Sequence, residues 1–460
     1  MSSLDVPPIS AGETTVTHSL FSLTTVASMA VFFLLVAWAC ARLLSHWRPT
    51  LGNNAPSATA WIDGLRGLAA TLVLLNHIPL VVANHLQLAP TITFEATQLV
   101  NYLGAVGVQL FFCITGFLFA SKILGSSNVD WTDFFVRRIR RLVPAYALAV
   151  LLALVVGAVA VDANFEYVGS ALRALPHIMS FGIFVLPEVQ GFDMSRLLGV
   201  NWTLAIEWRF YAVLPLLFAL RRFGHMNGPI SLLVFAVVLV PVLGAGIWLY
   251  FIVGAAATLM PKVALAHAWR GPLIVLAIGS VLSMAWNWDA LATEKVAQGL
   301  HIASLFFSLC LLKPRLLTTN ALTALGAISY SLYLLHIMVM FVLFGLVHEF
   351  LFDVTSLPAA GFALMGALGV ALSVLVAALA YEHIELRFMS TKKSLLVSSP
   401  DVFSPVFSSE RLRRENLETD SQKLHVRPDR RLRLVGSSRK KCAAALPASK
   451  QAEKDTSDAV

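Results

Sequence analysis

The stretch Trp61-Ile-Asp-Gly-Leu-Arg-Gly-Leu-Ala-Ala-Thr-Leu-Val-Leu-Leu-Asn-His77 decides what kind of chain this is. It is apolar enough to form most of a membrane-crossing helix, yet it holds an arginine and a histidine. An ionisable side chain inside a span costs roughly 2.5–3.5 kcal/mol on insertion scales, so both are functional candidates. Arg66 and His77 are eleven residues apart. At about 100° per residue they project from one helix face, about 16 Å apart along the axis. That geometry suits a molecule with an anionic head at Arg66 and a reactive end at His77. The plainer alternative is a snorkelling arginine and an unrelated core histidine.

The rest of the 460-residue chain is of the same material. Hydrophobic residues make up 57% and charged residues 13%, with a mean hydropathy of +0.75. A soluble globular chain is closer to half apolar and a quarter charged. This composition excludes a water-soluble enzyme, a disordered protein and a nucleic-acid binder built on basic patches. It predicts an all-α polytopic membrane protein. Cys40, Cys113, Cys310 and Cys442 have no short spacing and three of them lie in apolar runs. Neither a disulfide framework nor a metal site is expected. The net charge of +8 is read as membrane topology.

Residues 1–50 read as an extension carrying one span. The apolar run Leu20–Ala41 has its charge behind it, at Arg42, His46 and Arg48. A cleaved secretory signal has its charge in front, so this is a retained helix with its N-terminus outside. Further spans are expected near 62–86, 98–123, 141–162, 203–220, 230–247, 249–262, 271–287, 296–312, 321–347 and 357–386, each near the twenty residues that cross about 30 Å of hydrocarbon. Segment 167–187 is interrupted by Arg173, Pro176, His177 and Pro187. If it does not cross, the basic clusters at 42–48, 137–141, 221–222, 262–270, 313–315 and 387–393 all fall on one side, as the positive-inside rule requires. It is therefore taken as interfacial or re-entrant, giving a ten-helix core plus one extra N-terminal transmembrane helix. The tail 394–460 is polar, with thirteen Lys/Arg against nine Asp/Glu. It reads as a disordered basic cytoplasmic tail.

Four more stretches carry polar residues where lipid disfavours them. Gly107 to Phe119 offers the small Thr115-Gly116 surface for helix contact. Arg137-Arg-Ile-Arg-Arg-Leu-Val-Pro-Ala-Tyr146 sets four arginines at the cytoplasmic mouth, and arginine forks match phosphate bidentately. Thr203, Glu207 and Tyr211 recur at i, i+4, i+8, and Ser329, Tyr333 and His336 at i, i+4, i+7, each as one helical stripe.

These five segments, in this order, resemble the acyltransferase-3 family of integral-membrane acyltransferases. The resemblance rests on Asp63 to His77, Phe111 to Phe117, Arg137 to Tyr146 (a loop in that pattern), Trp202 to Tyr211 and Ser329 to His336, and assigns 60–388 to the family's membrane domain. Thr115 and Thr203 stand where serine is usual, and Glu382-His-Ile replaces a glutamate-x-proline pattern. The resemblance implies O-acylation, commonly acetylation, from a cytoplasmic acyl-CoA to a hydroxyl of a carbohydrate or lipid-linked glycan. No cofactor is permanently bound; acetyl-CoA is the donor substrate. His77 is then general base or transient acyl carrier, with Glu207 orienting or charge-balancing it or touching the acceptor. Arg66, Arg138 and Arg141 hold the coenzyme A phosphates. Asp63, Trp202, Tyr211, Ser329, Tyr330, Tyr333 and His336 form the substrate pocket. The expected location is the plasma membrane. The competing reading is a non-enzymatic carrier of a glycolipid or small anion along the same polar path, and a scaffold role for the tail is a third.

Overall fold

The computed structural model describes residues 20–48, 51, 59–125, 128–223, 246–260 and 267–390, together with 230, 233, 234 and 236–238. Fifteen helices are named among them. They are α1 (Leu23–Trp47), α2 (Ala60–Leu80), α3 (Phe94–Gly125), α4 (Trp131–Ala160), α5 (Phe165–Ile178), α6 (Ser195–Leu198), α7 (Trp202–Phe223) and α8 (Trp248–Ala257). The second half holds α9 (His267–Trp286), α10 (Trp288–Thr293), α11 (Lys295–Leu312), α12 (Asn320–Ala327), α13 (Ser329–Phe350), α14 (Ala359–Ala380) and α15 (Leu386–Ser390). One short antiparallel hairpin, Glu188–Val189 with Phe192–Asp193, interrupts the helices.

Among the described residues nine helices are long and apolar enough to cross a membrane. The chain is an all-α, multi-pass integral membrane protein. Of the eleven expected spans, 249–262 appears as the ten-residue α8, and 230–247 lies largely outside the described residues. The tail 394–460 and residues 1–19 lie outside them as well. Segment 167–187 holds α5, whose fourteen residues rise only about 21 Å, short of the hydrocarbon thickness. Its exposed apolar residues Phe165, Val168, Leu172 and Leu175 share one face, the form of an interfacial helix.

Two boundaries differ from expectation. The span expected at 321–347 is split at Ile328, where α12 ends and α13 begins. Gly326 there packs on the backbone of Asp63 with no room for a Cβ. The arginine cluster 137–141 is helical and not a loop, because α4 starts ten residues before the expected 141. Asp130 caps it, its side chain accepting from the Asp133 N–H at 2.9 Å, and Arg137 pairs with Asp133 one turn on. Pro144 is carried inside the helix.

The bundle is built around α2 and α13, its most buried spans. Close approach is made with glycine: Gly116 of α3 faces the Phe251 carbonyl and Gly254 of α8 faces the Cys113 carbonyl, each with no space for a side chain. Two spans end in a wider π-helical turn, Val81–His85 after α2 and Tyr381–Glu385 after α14. Such turns re-aim side chains and recur at functional sites. Here they bury His85 and Glu385.

Candidate active site

Two cavities are stacked along the helix axes. The first, about 330 Å³, sits among the first turns of α2, the last turns of α3, the start of α4 and the first turns of α7 and α13. Arg66, Lys122, Arg138 and Arg141 line it against a single carboxylate, Glu207. Arg138 and Arg141 share a face at i, i+3. The Arg138 guanidinium lies 4.8 Å over Phe119 and 5.9 Å over Tyr211, an aromatic seat that orients the fork. Its Nε is buried without a hydrogen-bond partner among the described residues. Arg66 is fixed by its own contacts: Nη2 donates to Ser329 Oγ at 2.9 Å and Nη1 lies 3.7 Å from Asp63. The Tyr211 hydroxyl donates to the Glu207 carboxylate. The Tyr330 hydroxyl donates to the Leu142 carbonyl at 2.9 Å and ties α13 to α4.

The second cavity, about 310 Å³, is lined by His77, Asn76, Asn101, Gln109, Trp202 and Tyr250 among others. It carries no charged lining. The Asn76 Oδ1 is buried without a partner among the described residues, and Trp202 is 48% exposed. Gln109 accepts a 2.8 Å hydrogen bond from Gln298 Nε2, which orients its amide.

His77 is held from behind. Its Nδ1 lies 3.0 Å from the Val73 carbonyl and 3.2 Å from His336 Nε2, while His336 Nδ1 lies 3.0 Å from the Leu332 carbonyl. A carbonyl only accepts, so in the neutral rings each Nδ1 carries the proton. His336 Nε2 is then an acceptor for His77 Nδ1–H, and His77 Nε2 keeps its lone pair. That nitrogen has no hydrogen-bond partner among the described residues.

Arg66, Arg138, Arg141, Glu207, Tyr211, Ser329, Tyr330 and Tyr333 thus gather around the first cavity, and His77, Trp202 and Tyr333 around the second. Asp63 lines neither and acts through Arg66. His336, 1% exposed, lies against His77 of α2 and not on a cavity wall, its ring 6.2 Å from that of Tyr333 one turn back on α13. Glu207 and His77 are not neighbours: they line different cavities.

Sequence reasoning missed Lys122, whose ammonium sits 5.2 Å over Phe134, because a lysine at a helix end reads as anchoring. On the last span it weighed only Glu382, and discounted it because Glu382-His-Ile departs from the glutamate-x-proline pattern. That side chain lies 3.6 Å from Arg48, whereas Glu385, three residues on and 1% exposed, accepts from Ser331 and interacts with Arg141 and Arg66. Glu385 sits in the π-helical turn Tyr381–Glu385. Asn76, Asn101 and Gln109 were missed because uncharged amides leave little trace in an apolar pattern.

Fold and site together define a multi-pass helical membrane protein in which a cationic cavity abuts a histidine-bearing one. The chain belongs to the acyltransferase-3 family, whose acyltransferase domain matches residues 59–381. It is 31% identical over 188 residues to the Bacillus subtilis (strain 168) protein named peptidoglycan O-acetyltransferase YrhL, covering 38% of this chain and 26% of the relative. It is 26% identical over 209 residues to O-acetyltransferase OatA of Staphylococcus aureus (strain NCTC 8325 / PS 47), covering 44% and 31%. Nodulation protein 10 of Rhizobium leguminosarum bv. viciae is 32% identical over 129 residues, covering 26% and 34%. The chain spans about a third or less of the length of these relatives. No solved structure matches.

Proposed function

We propose that the chain is a membrane O-acyltransferase that moves an acyl group, acetyl in the first instance, from a cytoplasmic acyl-CoA to a hydroxyl of a carbohydrate or lipid-linked glycan. The carrying observation is the pairing of the two cavities, one cationic and one bearing His77. Four cations line the cavity, and with Glu207, Asp63 and Glu385 set against them a net positive charge still remains for the phosphates of coenzyme A. Charge-assisted, bidentate arginine contacts are the strong form of that recognition. The unpartnered Arg138 Nε is a donor still to be satisfied, which supports an anion there. Asn76, Asn101 and Gln109 offer donors and acceptors, and the exposed Trp202 a ring face, the means by which a sugar is held. The relatives named as O-acetyltransferases, one of them for peptidoglycan, support a carbohydrate acceptor.

In this reading the acceptor oxygen attacks the thioester carbonyl carbon while its proton passes to His77 Nε2. A carbon–oxygen bond forms, the carbon–sulfur bond breaks, and the thiolate takes up a proton and leaves as coenzyme A. His336 keeps the Nδ1–H in place, so that the free nitrogen of His77 faces the acceptor. Glu207, held by Tyr211, serves the donor side. The membrane is the plasma membrane, with the donor cavity and the tail on the cytoplasmic side.

Purified protein in vesicles, given acetyl-CoA and an N-acetylglucosamine oligosaccharide, is expected to release free coenzyme A and form an O-acetyl ester. Mass spectrometry of surface glycans from cells with and without the protein identifies the natural acceptor. A non-enzymatic carrier would release no coenzyme A and leave surface glycans unchanged; that pair of results overturns the reading.

A further inference from the structure

Among the described residues, three line both cavities: Val108, Phe112 and Tyr333. Val108 and Phe112 are one turn apart on the same face of α3, and Tyr333 closes on them from α13. The Phe112 ring is stacked on Phe251 at 4.9 Å and 24°, and is 6% exposed. The Tyr333 hydroxyl lies 2.7 Å from Thr203 Oγ1 and donates to the Val200 carbonyl at 3.2 Å. Thr203 lines the cationic cavity and Val200 the one with His77, so this pair of hydrogen bonds sits at the boundary between them. Val73, Val200, Tyr333 and Ile337 pack as one apolar cluster there, with Val108 and Phe111 against it. These side chains form an apolar plug between the two cavities.

We propose that the acyl group crosses at this plug, and that Val108, Phe112 and Tyr333 set the length of acyl chain the protein accepts. The inference rests on the donor and acceptor sites proposed above. The coenzyme A phosphates stay with Arg66, Arg138 and Arg141, whereas the carbonyl carbon must meet a hydroxyl beside His77. The thioester therefore lies in the plug, and whatever extends beyond the carbonyl must fit between Val108, Phe112 and Tyr333. Packed interiors respond to a single methylene. One extra methylene in an apolar pocket shifts selectivity by roughly 10–200-fold. Phe112 is the large residue that can be truncated without breaking a hydrogen bond, and Val108 the one whose removal disturbs least.

The test uses non-hydrolysable ketone analogues of acetyl-, butyryl- and hexanoyl-CoA, with coenzyme A itself, binding to the full chain in lipid nanodiscs. Thermal stability is measured on the same samples. Wild type is expected to bind the acetyl analogue best and to lose at least about tenfold for butyryl, in line with the methylene sensitivity above. Val108→Ala and Phe112→Ala are expected to close most of that gap, and Val108→Leu to widen it. Chain-length preference identical in wild type, Val108→Ala and Val108→Leu, all stable, overturns the proposal. If neither coenzyme A nor any analogue binds stable wild-type protein, the donor reading fails first and takes this inference with it.

Discussion

His77, which lines its cavity, keeps Nε2 uncommitted because its other nitrogen is engaged by Val73 and His336. A positioned base contributes typically 10²–10⁴-fold to proton removal in transfers of this kind. His77→Gln keeps a hydrogen-bonding group but takes up no proton, so acyl transfer is expected to fall by about that factor with donor affinity retained. His336→Gln removes a support and not the base, and a loss of about tenfold is expected, about 1.4 kcal/mol in the barrier. Single-turnover transfer on thermally stable samples measures both; near-normal turnover in His77→Gln would overturn the assignment of His77 as base. On the donor side, Arg138→Gln or Arg141→Gln removes a charge-assisted hydrogen bond worth about 1.5–3 kcal/mol. Acetyl-CoA affinity should drop by roughly tenfold or more for each, and Arg138→Lys should recover only part, since an ammonium lacks the fork. Unchanged affinity in Arg138→Gln would reassign that arginine to topology. The shared face of Arg66 and His77 and the stripes at 203–211 and 329–336 were all legible in the sequence, because helical spacing carries that information. The histidine pair was half legible: spacing named both rings but could not say that one stands behind the other.

Helices, in contrast, hid what depends on a departure from ideal geometry. The family pattern drew attention to Glu382 alone, whereas the carboxylate buried beside Ser331 is Glu385, in the π-helical turn Tyr381–Glu385. The break at Ile328 was equally invisible, since nothing apolar or polar marks it and it depends on Gly326 meeting the backbone of α2. The Thr115-Gly116 surface was legible as a packing site, but its partner was not. That partner is α8, where Gly254 fits against the Cys113 carbonyl. Gly254→Ala therefore forces two helix backbones apart, and overpacking of this kind costs typically 1–3 kcal/mol. Gly279, in the middle of α9, has nothing within 4 Å of where a Cβ would stand. Thermal unfolding in detergent should show a clear fall for Gly254→Ala and none for Gly279→Ala, which gains helix propensity instead. Equal midpoints for the two variants would contradict the close packing of α3 and α8.

For the whole molecule, the decisive quantity is the number of crossings between the arginine cluster of α4 and the pair Arg221–Arg222 at the end of α7. Composition fixed the membrane class, and charge bias alone argued that 167–187 does not cross. The structure adds lengths: α5 rises about 21 Å, less than the roughly 30 Å of hydrocarbon, and a hairpin at Glu188–Asp193 follows it. If α5 lies at the interface, α4 would leave the cytoplasmic side and α7 return to it; Arg138 of the one and Glu207 of the other line the same cavity. The proposed function requires the same count, since it needs the cationic cavity to face the compartment that holds acyl-CoA and His77 to lie toward the opposite face. Reporters fused after Arg222, Lys313 or Lys393 should therefore read cytoplasmic, and one inserted at Asn84–Pro90 should read external. An external signal after Arg222 would mean that 167–187 crosses after all. That result would invert every later helix, put the basic groups at 313–315 and 387–393 outside against the positive-inside rule, and detach the donor arginines of α4 from the rest of their cavity.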